Sequence, residues 1–158
     1  YRDYDDRLRK RLTGFEIPGT HLSWFSWEPA LELAWKSGNA HRYEIAVEAA
    51  YRRNDENGSG YDDFDRYAVD LELRYESGPW KLAAEGGMVQ YQYANRTVSR
   101  RDRRRHEITQ WNVLFQASRR LTPGFAIELD YAFESSDSTR ENEGYHAHRA
   151  GIAASLTF

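Results

Sequence analysis

Tyr67-Ala-Val-Asp-Leu-Glu-Leu-Arg-Tyr75 alternates without a break, with Tyr67, Val69, Leu71, Leu73 and Tyr75 on one phase and Ala68, Asp70, Glu72 and Arg74 on the other. Successive side chains of a strand point to opposite faces, so this stretch makes a ribbon with one apolar and one charged side. A helix would bring the apolar positions back every three or four residues instead.

The same period extends in both directions. Upstream, Tyr43, Ile45, Val47, Ala49 and Tyr51 oppose Arg42, Glu44, Ala46, Glu48 and Ala50, and before them Leu31, Leu33 and Trp35 oppose Glu32, Ala34 and Lys36, with Trp27 in phase. Downstream, Trp111, Val113, Phe115 and Ala117 oppose Gln110, Asn112 and Gln116, and Phe125, Ile127, Leu129, Tyr131 and Phe133 oppose Ala126, Glu128, Asp130 and Glu134. Ala150, Ile152, Ala154, Leu156 and Phe158 form the last apolar row. Between these segments one strand starts with Trp80, Leu82 and Ala84 outward and ends with Val89, Tyr91 and Tyr93 outward. That change of phase needs an inserted residue, and Gly86-Gly87 is the predicted bulge.

Seven strands are therefore readable from residue 21 onward. Their connections alternate, short near 37–40, 76–80 and 119–124, long near 53–66, 94–107 and 135–144. Trp27/Trp35, Tyr43/Tyr51, Tyr67/Tyr75 and Phe125/Phe133 each stand eight residues apart on the apolar phase. Eight residues of strand span roughly 26 Å, or roughly 20 Å along a membrane normal at the usual barrel tilt. Such spacing predicts an apolar band edged by aromatic girdles. An antiparallel barrel or sandwich in water is the competing reading, with the apolar rows buried in a core.

Composition bounds the choice. The 158 residues suit one domain spanning 1–158, with 15% aromatic and 30% charged residues and a formal net charge of -3. Mean hydropathy is -0.87. No apolar run is long enough for a transmembrane helix, but alternation hides a barrel from such a test. Without cysteine there is neither a disulfide nor a thiolate metal site. Residues 1–20 hold no apolar signal-peptide core, so a secreted protein would appear here in mature or trimmed form.

The carboxyl end, Ala150-Gly-Ile-Ala-Ala-Ser-Leu-Thr-Phe158, resembles the terminal signature of bacterial outer-membrane β-barrel proteins. Tyr1-Arg-Asp-Tyr-Asp-Asp6, Tyr61-Asp-Asp-Phe-Asp65 and Arg119-Arg-Leu-Thr-Pro-Gly124 look like C-terminal portions of larger barrels of that kind. The resemblance implies an all-β, antiparallel transmembrane barrel, an up-and-down meander of eight strands, in the bacterial outer membrane. It implies outer-membrane lipids and lipopolysaccharide around the wall and the barrel assembly machinery as a partner during biogenesis. Residues 4–17 would supply the eighth strand, or residues 1–20 would be an external loop of a larger barrel.

On this reading the face opposite the aromatics carries an interior charged network of Glu32, Arg42, Glu44, Glu48, Asp70, Glu72, Arg74, Lys81, Glu85, Glu128, Asp130, Glu134 and Arg149. A narrow barrel would fill with these side chains, and a wider one would conduct cations, since carboxylates outnumber bases. The expected function is a noncatalytic pore, porin-like in transport, or a structural membrane module. The alternative is a surface interaction or assembly module that binds a protein, lipopolysaccharide or an anionic glycan through its long loops. Arg96, Arg100, Arg101, Arg103, Arg104 and Arg105 would grip the anion, because guanidinium pairs well with planar anionic groups. Nucleic acid fits poorly, with no recognised motif beside the arginines.

Other signals are weaker. Asp55, Asn57, Ser59 and Gly60 resemble the opening of a calcium loop, but position twelve is Arg66 rather than a bidentate Glu. Asp62, Asp63 and Asp65 add acid to that loop. His21 and Ser23 share a strand face with Phe25 but lack an acidic third member. His146 and His148 have strand spacing without carboxylate co-ligands, so neither cofactor nor metal is expected.

Overall fold

In the computed structural model, residues 2–4, 11, 14–18, 22–99, 102–141 and 143–156 are described. They contain nine strands: β1 Arg2–Tyr4, β2 Leu22–Trp27, β3 Ala30–Ser37, β4 His41–Glu56, β5 Phe64–Ser77, β6 Trp80–Thr97, β7 Arg105–Thr122, β8 Phe125–Ser138 and β9 Tyr145–Leu156. All pair antiparallel in one sheet, in the order β1-β2-β4-β5-β6-β7-β8-β9, with β3 also on β4. No peptide bond among them is cis.

β2 and β3 act as one interrupted strand. Trp27 faces Arg53 and Ala30 faces Ala50, so the register on β4 runs straight past Glu28-Pro29. Proline cannot donate to a ladder and is tolerated here at the sheet's margin; its carbonyl still accepts from the Tyr51 N–H at 3.1 Å. At the short turn between β3 and β4, Gly38 has φ of 101°. A Cβ there would collide with the His41 carbonyl.

The sheet does not close, which corrects the barrel expectation. Among the described residues β9 pairs only with β8, and β1 only with β2. The eight-stranded antiparallel meander is present, but as an open sheet. β1 stands at residues 2–4, and most of the predicted first strand at 4–17 lies outside the described residues, as does Phe158.

The phase of β6 differs from expectation as well. Its ladder with β5 runs from Trp80↔Ser77 to Tyr93↔Phe64, and its ladder with β7 shifts register only between Gln92 and Thr97. No residue is inserted at Gly86-Gly87. Met88 therefore continues the apolar face, while Val89, Tyr91 and Tyr93 fall on the charged one. Gly87 is needed for another reason: a Cβ would run into the side chains of Asp70 and Asn112, which cross it from β5 and β7.

Little of the molecule is buried. Among the described residues Ala68 alone, at 4% exposure, is a buried hydrophobic residue. Ala68 lies opposite Val89, and further along β5 Phe64 packs edge-on against Tyr91 and Tyr93 at 5.6 and 5.8 Å. The packed part of the sheet thus sits on its charged face, toward the long connections.

Candidate interaction surface

Cross-strand register assembles the apolar face from every major strand. Leu33↔Val47, Val47↔Leu71, Ile45↔Leu73, Ala84↔Phe115 and Phe115↔Tyr131 place aliphatic and aromatic side chains side by side. They remain open: Leu31, Leu33 and Trp35 are 62%, 65% and 54% exposed and Phe115 is 52%. A hollow of about 560 Å³ lies among Tyr43, Ile45, Leu73, Tyr75, Leu82, Phe115, Leu129 and Tyr131.

The aromatics predicted as girdles form rows across the strands. Trp27, Tyr51 and Tyr67 stack edge-on or tilted at 5.2 and 5.3 Å toward the long connections. Tyr43 and Tyr75 meet at 4.9 Å toward the short turns, with His41 parallel to Tyr75 at 6.4 Å. His41 also bonds the hydroxyls of Tyr75 at 3.2 Å and Ser77 at 2.8 Å. On β8, Phe133 packs on His148 at 4.9 Å, which bonds Tyr131 at 2.9 Å, while Phe125 faces Leu156 across the ladder. Trp35 stands beside Ile45 at the outer edge.

The opposite face carries the charged residues, on an open side of the sheet rather than inside a closed wall. Lys36 pairs with Glu44 at 2.5 Å, Glu76 with Arg42 and Lys81 at 3.5 Å each, and Arg74 with Glu72. The Lys36 hydrogen bond holds the half-buried Glu44 carboxyl below its usual range. Glu32, Glu48, Asp70, Glu85, Glu128, Asp130, Glu134 and Arg149 make no ion pair among the described residues. The Asp130 carboxylate lies over Gly151, where a Cβ would clash with it.

At the long connections the described arginines have different surroundings. Arg96 pairs with Asp62 and is held over the rings of Tyr61 and Tyr93 at 5.0 and 4.2 Å. Arg104 is bound by Asp102 at 2.7 Å, which holds that carboxyl below its usual range. Arg103 and Arg105 are exposed, and Arg100 and Arg101 lie outside the described residues.

A second cluster was not singled out in sequence. His106, 1% exposed, stacks on Tyr93 at 5.1 Å and places Nε2 3.0 Å from Glu143 and 3.1 Å from the Ser138 hydroxyl. Arg140 reaches Glu143 at 3.4 Å and donates to the Thr97 carbonyl at 2.9 Å. The cluster ties the β6–β7 connection to the β8–β9 connection. Tyr93 would have pointed to it had the parity of β6 been carried straight through Gly86-Gly87.

The acidic loop folds on itself instead of converging on a cation. Glu56 accepts from the Tyr61 N–H at 2.8 Å and the Ser59 hydroxyl at 3.2 Å, while Asp63 accepts from the Glu56 N–H at 2.6 Å. Asp55 turns to Arg53 at 2.9 Å and Asp65 accepts from Tyr51 at 2.5 Å. No group of three His, Cys, Asp or Glu side chains suited to a metal occurs among the described residues. His21 lies outside the described residues, so the His21/Ser23 pair does too. His146 bonds the Ser135 hydroxyl at 2.9 Å and faces the apolar side with His148.

No protein family, curated protein or solved structure matches this chain.

The open sheet corrects the functional expectations along with the fold. Among the described residues it encloses no lumen, so the pore, porin and transport readings fall. Among the described residues it forms no closed apolar belt, so the outer-membrane location and its partners, the lipids, lipopolysaccharide and assembly machinery, fall with the barrel resemblance. No helix among the described residues is long and apolar enough to cross a membrane.

Proposed function

We propose that this sheet is a protein-interaction module whose apolar face docks a partner protein through an apolar surface of its own. One observation carries the reading: Leu, Trp, Phe and Tyr side chains from β3 to β9 form a continuous exposed face around the hollow at Phe115. Contiguous apolar surface on this scale marks an interaction site, and Trp and Tyr supply most of the binding energy at such sites. The face spans seven strands at about 4.8 Å each and several residues along each strand. That is on the scale of the roughly 800 Å² a standard interface takes from one partner. The long connections, pinned by Glu56 and by the His106–Glu143 cluster, frame one end. The module acts by binding, without catalysis.

A photo-crosslinking residue at Phe115, compared with one at Gln116 on the charged face, tests the proposal in cells. The expected result is a discrete protein adduct from position 115 and none from 116. Equal adducts from both positions, no protein adduct, or a lipid adduct from 115 would overturn it.

A further inference from the structure

Among the described residues the sheet ends at β1 and β3 on one side and at β9 on the other, and the edges of β3 and β9 differ in kind. β3 is short, follows Glu28-Pro29 and carries Glu32 and Lys36, features that discourage strand addition. β9 runs twelve residues, Tyr145–Leu156, with no proline and one permanent charge, Arg149. Among the described residues nothing pairs with its outer edge, so alternate N–H and C=O groups are left unpaired along it. Ile152, at 76% exposure, is the most exposed of its large hydrophobic residues. An unguarded edge of this length is a template for another strand.

We infer that β9 pairs antiparallel with β9 of a second copy of this chain, about a two-fold axis through Ile152. The sequence is self-complementary in that register. Ile152 meets its own copy, Ala150 meets Ala154, Gly151 meets Ala153, and His148 meets Leu156 on the same face. Arg149 falls beside Ser155, and the two arginines lie roughly 20 Å apart along the strands. A register centred on Arg149 would instead set the guanidinium groups against each other, where like charges destabilise. An axis normal to the sheet keeps both apolar faces on one side, so the docking surface is extended rather than covered. The pairing is independent of the function proposed above.

The absence of native cysteine makes the test clean. Directly opposite residues have Cβ atoms close enough for a disulfide. Ile152→Cys should therefore give a covalent dimer under mild oxidation, while Leu33→Cys on the other margin and Val113→Cys on the apolar face stay reduced. Mixing Ala150→Cys with Ala154→Cys should give the heterodimer in preference to either homodimer. A monomeric Ile152→Cys chain overturns the inference, as does equal crosslinking at Leu33 or Val113, which would report collision or face stacking. The cysteine variants leave the backbone pairing untouched, and circular dichroism matching the wild type confirms that each is folded.

Discussion

His106 is the side chain most sensitive to its surroundings. Burial comes first and the nearby Arg140 charge second, and together they lower its pKa from the usual 6.5 despite the opposing pull of Glu143. Both histidine forms must be counted in the unfolded chain. Above pH 6.5 the imidazole is neutral in either state. As the pH falls below that value, the unfolded chain takes up the proton first, so stability declines until the folded pKa is passed. Burial pushes the Glu143 carboxyl up, but the Ser138 hydrogen bond and the charges of His106 and Arg140 outweigh it. Its stabilising contribution is present above 4.5 and is lost as the pH falls through the lowered value. His106→Gln should therefore remove the decline that begins at pH 6.5 and keep the one below 4.5. Urea unfolding from pH 8 down to about pH 2 measures both, and an unchanged slope just below 6.5 would place the titration elsewhere.

Between neighbouring strands, stability comes from side-chain pairs rather than a core, because so little is buried. Tyr43 and Tyr75 face each other directly on β4 and β5, with rings 4.9 Å apart. A double-mutant cycle of Tyr43→Ala and Tyr75→Ala should give a coupling of about 0.5–1 kcal/mol. Tyr43→Ala with Trp111→Ala, on strands separated by β5 and β6, should be additive within about 0.5 kcal/mol. Equal coupling in both cycles would mean that the rows are not local contacts. At this scale the sequence was most informative. Unbroken alternation, as in Tyr67–Tyr75, reveals both the strand and its faces, since one residue of slip would invert every side chain. It misled where two glycines removed the side chains that carry phase. Tyr91 and Tyr93 then looked outward because they are aromatic, whereas the ladder turns them toward Phe64 and His106. The His106 cluster was hidden for a further reason: its members come from three separate segments joined only by strand pairing.

Closure is a property of the whole sheet and leaves no local signature. Alternation, short turns and aromatic spacing are identical in a wall that closes and in one that stays open, so strand-level pattern could not distinguish a barrel from this sheet. Openness has an energetic consequence. With Ala68 the one buried hydrophobic residue among those described and side chains such as Ile152, Leu33 and Leu31 mostly exposed, apolar burial among the described residues is small, although this is usually the dominant favourable contribution to folding. Stability must then draw on what associates with the face or the edge. Binding to the folded state alone stabilises it by mass action, reaching roughly 2.7 kcal/mol when the ligand stands at one hundred times its dissociation constant. Self-association through β9 makes the second copy that ligand, so the urea midpoint of the purified chain should rise with protein concentration. Sedimentation at each concentration should show the dimer fraction rising in step. A midpoint constant over a hundredfold range would mean that cross-strand pairs and the ring cluster of Phe64, Tyr91, Tyr93 and His106 hold the isolated sheet together without association.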